Sequence, residues 1–273
     1  MKRIYVAFGG AAYDSITENI VRDAPKFGAD EVWIYDDKWL VEEASEFHHL
    51  NSWLWDHRGP GNEAGGRGFG WFCWKPLIIL DALARLDPGD ILLYTDADTY
   101  PIAPFRMLYD ECNRIGGILL FRACALYSRQ WTKRDCYIIL GQDQEKYHNS
   151  EAGVARFMLF QRGTWRVQQF LMEWLTYCLN RTATTFDPST LAPEFAGEHK
   201  SGPQYGFIEH RTEQAIMTLL AHKYNLKLYR EACQFGETLP EDKDLYPTLF
   251  HQVWAGGDKT NLSGSRFRNV KGF

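Results

Sequence analysis

The chain has 273 residues, 45% of them hydrophobic and 24% charged, a balance that suits a folded α/β domain with a substantial core and excludes disorder as the default. A net charge of -5 leaves no excess of Lys and Arg for a nucleic-acid backbone, and no apolar stretch approaches a membrane span. The six cysteines lack the close pairing of zinc sites, and MKRIYVAFGG lacks a signal-peptide pattern, so reduced thiols and a cytoplasmic location are expected.

Ile4 to Phe8 reads as an apolar strand broken by Gly9 and Gly10. Asp14 then caps a helix to about Lys26, and Val32 to Tyr35 is the next strand. Such a βαβ unit opens its loops at the carboxyl ends of the strands, where open α/β sheets hold ligands. Lys38 to Arg67 has a weak pattern. A Gly-rich approach (Gly65, Gly66, Gly68, Gly70) then leads to a helix with Pro76 in its first turn and Leu77, Leu80, Leu83 and Ala84 as its apolar stripe. Asp87 to Asp90 turns the chain into Ile91 to Tyr94, a continuous apolar run typical of a fully buried strand, which ends at Asp96-Ala97-Asp98.

Further strands are predicted over Ile118 to Phe121, Gly153 to Phe160 and Leu226 to Tyr229. Thr132 and Asp135 resemble a capping box for a helix to Leu140, which makes Trp131 to Asp135 the start of a surface helix. Thr164 starts a helix with Val167, Phe170, Leu171, Trp174, Leu175 and Cys178 toward the core, and Thr212 caps one carrying Ile216, Leu219 and Leu220. Arg181 to Glu209 has no periodicity, and so long a loop is expected to frame a substrate. The chain ends in a Gly-rich basic tail, without internal repeat or second domain.

Two acidic residues two positions apart leave a strand on opposite faces, but where the strand stops and turns both reach one hard cation. Asp96 and Asp98 follow ILLY directly, at the exit of a buried strand where solvation is incomplete. A Mn2+ or Mg2+ ion held there offsets, as a Lewis acid, the charge on a departing diphosphate. In FHQVWAGGDK, His251 offers an imidazole as third ligand, and Gly256, Gly257 and Lys259 offer backbone N-H groups and a positive charge to the diphosphate.

Four stretches, VAFGGAAY, GFGWFCWKPLIILDAL leading into YTDADTYP, NSEAGVARFMLFQ and EHRTEQAIMTLL, resemble in their order the GT-A-fold glycosyltransferases, and within them the family-8-like retaining group. The resemblance implies a single α/β, Rossmann-like domain over 1–273 with a central mixed, mainly parallel sheet flanked by helices. Residues 1–110 would form the nucleotide-binding half, and 111–273 the acceptor half with a phosphate-clamping tail. It further implies a nucleotide-sugar donor, UDP-linked by preference, and a glycan or glycoconjugate hydroxyl as acceptor. Phe8, Gly9 and Ala97 would line the donor pocket, Tyr13 would stack on the base, and Asp36 would accept a base or ribose hydrogen bond. Lys75 would reach the donor's phosphates, with Arg67 a weaker companion. The tail departs from the group's HxxGxxK spacing, which touches Lys259 more than His251.

Glu213 and Gln214 stand where that group carries an Asp-Gln pair. In a retaining enzyme Gln214 would lie at the anomeric carbon and Glu213 on sugar hydroxyls; an inverting one would need Glu213 or Asp187 as base. Asn149, Ser150, Glu151, His210 and Arg211 are either hydroxyl contacts or polar loop residues. Two other classes compete. In a haloacid-dehalogenase-like phosphatase Asp96 would be the nucleophile and Asp98 the acid/base, although GGDKTN lacks that class's second carboxylate. The other is a non-catalytic sugar-binding protein of the same fold.

Overall fold

A computed structural model of the chain describes residues 1–9, 14–55, 69–192, 206–236 and 246–253, and of residues 14, 15, 124 and 125 the backbone alone. In chain order the elements are β1 (Arg3–Phe8), α1 (Asp14–Phe27), β2 (Glu31–Tyr35), α2 (Asp37–Glu42), α3 (Ser45–Leu50), α4 (Trp74–Ala84), β3 (Ile91–Asp96), β4 (Thr99–Pro101) and α5 (Arg106–Arg114). There follow β5 (Ile118–Tyr127), α6 (Ser128–Trp131), α7 (Arg134–Ile139), α8 (Glu145–His148), β6 (Glu151–Gln161), α9 (Trp165–Cys178), α10 (Arg181–Thr184), α11 (Thr212–Lys223), β7 (Leu228–Tyr229) and β8 (Phe250–Gln252).

Six strands form one sheet in the order β2-β1-β3-β6-β5-β7. All pairings are parallel except those of β6, which runs against both β3 and β5. The sheet is therefore mixed and mainly parallel, as expected, and draws strands from both halves of the chain. Its central strands are covered on both faces, which is why they read as unbroken apolar runs. Side-chain alternation sends Ile4, Val6, Leu92 and Tyr94 toward α4, α9 and α11, where they meet Ile78, Trp174 and Ile216. The opposite face takes Tyr5, Ala7, Ile91 and Leu93, which pack on Ile20 and Ala24 of α1 and Leu108 and Tyr109 of α5. A small second sheet pairs β8 antiparallel with β4, and Val253 N donates to the carbonyl of Asp98 at 2.7 Å.

Several expectations need correction. The predicted stripe of α4 is displaced: Ile78, Ile79 and Ala82 are buried while Ala84 is exposed. The helix is apolar nearly all round, so periodicity could not select its face. Trp131 to Asp135 is no surface segment, since Trp131, Thr132, Lys133 and Asp135 are all buried. Its capping box is absent too. Asp135 accepts from the backbone N-H of Thr190 at 2.7 Å and of Leu191 at 3.0 Å, a distant segment outcompeting the local cap. Thr164 precedes α9 without capping it, and Thr212 lies inside α11. The weak region after β2 holds α2 and α3, and β5 runs on to Tyr127. The five described free cysteines are buried, and among the described residues no helix is long and apolar enough to cross a membrane.

Candidate functional site

β1 and β3 end together, with Phe8 in register with Asp96. Asp96 leaves the sheet on the side of Tyr94, toward α4 and α11, and the Tyr94 hydroxyl donates to its Oδ1 at 2.8 Å. Lys75 Nζ approaches Oδ1 at 2.9 Å and Oδ2 at 3.3 Å, meets Glu213 Oε1 at 2.9 Å, and donates to the carbonyl of Ala155 at 3.3 Å. It also lies 4.8 Å over the Phe72 ring. Both Lys75 and Glu213 are buried, at 3% and 4% side-chain exposure, so their charges stand almost wholly outside water. Burial works against the ammonium, yet the charges of Asp96 and Glu213 more than offset it and raise the Lys75 pKa. Burial raises that of Glu213 against the pull of Lys75 and of the Thr212 hydroxyl, which donates at 2.6 Å.

Unusual backbone aims both groups. Gly70, Trp71 and Phe72 take φ of 56°, 53° and 57°, a left-handed turn immediately before α4. Each non-glycine there costs roughly 1–2 kcal/mol, which burial of Trp71 helps to offset. Gly70 is required as well, since a Cβ would stand 2.5 Å from the Trp55 ring. Thr212, just ahead of Glu213, has φ of 41°, a genuine outlier for a β-branched residue. Such strain at two entries to one cluster marks it as a functional candidate.

Asp98 lies past the strand end. Its Oδ1 accepts from Thr99 Oγ1 at 2.9 Å and its Oδ2 from Gln252 Nε2 at 2.9 Å. Burial and then the charge of Asp96 raise its pKa. Behind Gln252 stands Arg156, whose Nη1 donates to Gln252 Oε1 and pairs with Glu231 Oε1 at 3.1 Å. Glu231 is buried, and the chain Glu231-Arg156-Gln252-Asp98 runs from the interior to the acidic pair.

The other sequence-predicted residues are placed as follows. Phe8 stacks on Trp74 at 3.8 Å, a packing contact. Gly9 donates its N-H to Tyr35 at 2.8 Å, and a Cβ there would come within 2.5 Å of Thr17 and 3.3 Å of the buried Ala97. Asp36 caps α2 by accepting from Trp39 N at 2.8 Å. His251 packs edge-on against Tyr100 at 5.7 Å; strand alternation gives the Asp98 side to its neighbour Gln252 instead. Gln214 is half-buried beside the inward Glu213. Asn149 accepts from Arg129 at 2.5 Å, Ser150 donates to the Tyr147 carbonyl at 2.7 Å, and Glu151 lies 3.5 Å from Arg122. Tyr13, Arg67, Gly256, Gly257 and Lys259 lie outside the described residues.

Two hard carboxylates at one strand end, with Asp98 held up in pKa partly by Asp96, form a donor set that a divalent cation fits. Among the described residues no group of three His, Cys, Asp or Glu completes it. The reading of the sequence missed Arg156, Glu231 and Gln252. Arg156 had a signal, being the one charged residue between Glu151 and Gln161 in an otherwise buried run; Gln252 had none.

His210, one of the polar candidates, is a buried structural residue. Its Nδ1 accepts from Lys133 N at 3.2 Å and its Nε2 meets the carbonyl of Ala183 at 2.9 Å, which requires the neutral ring. Burial and then the Lys133 charge push its pKa well below 6.5. Its stabilising contribution is therefore complete above about 6.5 and lost as the pH falls from there toward the folded-state value, at up to ~1.4 kcal/mol per pH unit. Urea unfolding between pH 7.5 and 5.5 should show that loss, and His210→Gln should flatten it. An unchanged slope in the variant would rule out this residue as its source.

No protein-family model matches the sequence, and no curated protein matches it. In structure the chain is similar to the apo form of mouse xyloside xylosyltransferase 1, at 11% identity over 92% of this chain and 97% of that one, with a TM-score of 0.44. It is similar also to the bifunctional glycosyltransferase WbbM, at 10% identity over 85% of this chain and 39% of that one, with a TM-score of 0.49. A third is the galactosyltransferase LgtC with donor and acceptor sugar analogues, at 13% identity over 93% and 87% and a TM-score of 0.38. All three are glycosyltransferases.

Proposed function

We propose that the protein is a metal-dependent glycosyltransferase that moves a hexose or pentose from a nucleoside diphosphate, UDP by preference, to a hydroxyl of a glycan or glycoconjugate. One observation carries this reading: at the exit of β3, Asp96 shares the ammonium of Lys75 with Glu213, and Asp98, two residues on, adds a further carboxylate whose pKa is raised in part by the charge of Asp96. That excess of negative charge suits a hard divalent cation and, through it, phosphate oxygens. Mn2+ or Mg2+, held by Asp96 and Asp98 with donor oxygens in the open positions, would supply Lewis-acid stabilisation of the leaving diphosphate.

The chain's own residues do the rest. Lys75 straddles both oxygens of Asp96 and fixes the carboxylate's orientation, while Gln252, braced by Arg156, fixes Asp98. Glu213 is committed to Lys75 and Thr212, which makes it a positioning group more than a base open to an incoming acceptor. This favours retention, with Gln214 at the sugar and the leaving phosphate accepting the acceptor's proton. Tyr13, Gly257 and Lys259 are assigned to the base and the diphosphate, and the cytoplasm, where nucleotide sugars are supplied, is the proposed location.

A thermal-shift screen of nucleotide sugars with and without Mn2+ tests the reading. At a hundred times Kd the correct donor should add ~2.7 kcal/mol, about 5 to 10 °C in Tm for a chain of this size, and Asp98→Ala should abolish the shift. No response to any nucleotide sugar, with release of phosphate from p-nitrophenyl phosphate, would overturn it in favour of a phosphatase.

A further inference from the structure

The acidic pair is also held from the opposite face of the sheet. Alternation along β3 sends Asp96 toward α4 and its neighbour Thr95 to the other side, beside Tyr5 of β1. There the Thr95 hydroxyl donates to the Tyr5 hydroxyl at 2.9 Å, and the Tyr5 hydroxyl donates onward to the carbonyl of Thr99 at 3.3 Å. The Thr95 hydroxyl itself lies 3.4 Å from that carbonyl. Residues 95 and 99 are thus clasped together across Asp96, Ala97 and Asp98. Thr99 carries the relay one step further, because its own hydroxyl donates to Asp98 Oδ1 at 2.9 Å.

Tyr5, Thr95 and Thr99 are fully buried, and Phe105 fixes the Tyr5 ring edge-on at 5.8 Å. Burial raises the Tyr5 pKa against the bond from Thr95, so the hydroxyl keeps its proton and remains a donor. Around these groups the face is apolar, with Ala7 and Phe157 in register with Thr95. Phe at position 5 and Val at position 95 would fill the same space with no polar group to desolvate, so the two hydroxyls do not serve packing. They supply direction instead. A strand end by itself leaves side chains two residues apart on opposite faces. Closing the turn through the Thr99 carbonyl, with Thr99 on one oxygen of Asp98 and Gln252 on the other at 2.9 Å, presets the second carboxylate beside the first. A cation site depends on ligands fixed in this way before the ion arrives.

We propose that Tyr5 and Thr95 are positioning residues for the cation site: their hydroxyls, acting through the Thr99 carbonyl, set the turn that aims Asp96 and Asp98 at one ion. The ion rests on the glycosyltransferase reading and the clasp on the turn does not, so the two are measured separately in the full chain. Hydrogen exchange without metal reads the clasp at the amide of Val253, which donates to the Asp98 carbonyl at 2.7 Å. In Tyr5→Phe and in Thr95→Val that amide should exchange about tenfold faster, while the amides of Leu93 and Leu159 within the sheet keep their rates. Thr95→Ser, which retains the hydroxyl, should exchange as wild type does. Calorimetric Mn2+ titration reads the consequence: affinity should fall about tenfold in the first two variants and be restored in Thr95→Ser. Unchanged exchange at Val253, or an equal rise at Leu93 and Leu159, overturns the clasp. Faster exchange at Val253 with unaltered Mn2+ affinity overturns the positioning role. A wild type that binds no Mn2+ overturns the cation reading and the positioning role with it, and the Val253 amide still decides the clasp.

Discussion

Replacing Lys75 by Met should cost about 3–5 kcal/mol of folding stability, because it strands the carboxylate of Glu213 in the interior and takes a counter-charge from the partly exposed Asp96. Glu213 has 4% side-chain exposure and its nearest counter-charge is Lys75 Nζ at 2.9 Å; Asp96 would keep only the Tyr94 hydroxyl among these partners. Urea unfolding should show the loss, and the double variant Lys75→Met with Glu213→Gln should recover a large part of it. Without that recovery, the cost would have to come from other contacts of Lys75, such as that of its Nζ with the Phe72 ring. The pH dependence gives a second check. Glu213 has a folded-state pKa raised above 4.5, so its contribution is fully present below 4.5 and is lost as the pH rises through the folded value. Removing Lys75 raises that value further. The single variant should therefore lie closest to wild type in acid and fall away toward neutrality.

Arg156→Met should cost on the order of 3–4 kcal/mol for the same reason, since Glu231, also with 4% side-chain exposure, loses its partner at 3.1 Å. Here a functional loss should accompany the structural one. Gln252 is gripped from one side by Arg156 and holds Asp98 from the other, so releasing it should weaken the proposed Mn2+ binding at Asp98 about 10- to 100-fold. Adding Glu231→Gln should restore stability while leaving the metal affinity low. Calorimetric Mn2+ titration distinguishes the two effects: full recovery of affinity in the double variant would reduce Arg156 to a partner of Glu231 alone.

Much of this was legible beforehand where the signal was local. The strand-turn-helix start and the apolar run into Asp96 and Asp98 were read correctly, because a strand buried on both faces leaves an unbroken apolar word in the sequence. Lys75 was also picked out, though as a phosphate ligand at a helix start and not as an ammonium shared by Asp96 and Glu213. His251 was chosen for its chemistry; alternation along β8, one residue out of register with that choice, presents Gln252 to Asp98. Asp36 is a helix cap and Phe8 a stacking partner of Trp74, roles that a motif does not distinguish from ligand contacts.

The sequence by itself determined the opening strand-helix-strand unit, the main strands of the central sheet and the long helices, the place where β3 stops, and the pair of carboxylates at that stop. These follow from hydrophobic period and chain-breaking residues, which act over a few positions. Only the tertiary structure decided which charges meet. Lys75 and Glu213 are separated by more than half the chain, and Arg156, Glu231 and Gln252 come from three different segments. Their pairing is enforced by the cost of burying any one of them alone, a condition that exists only once the sheet has closed around them.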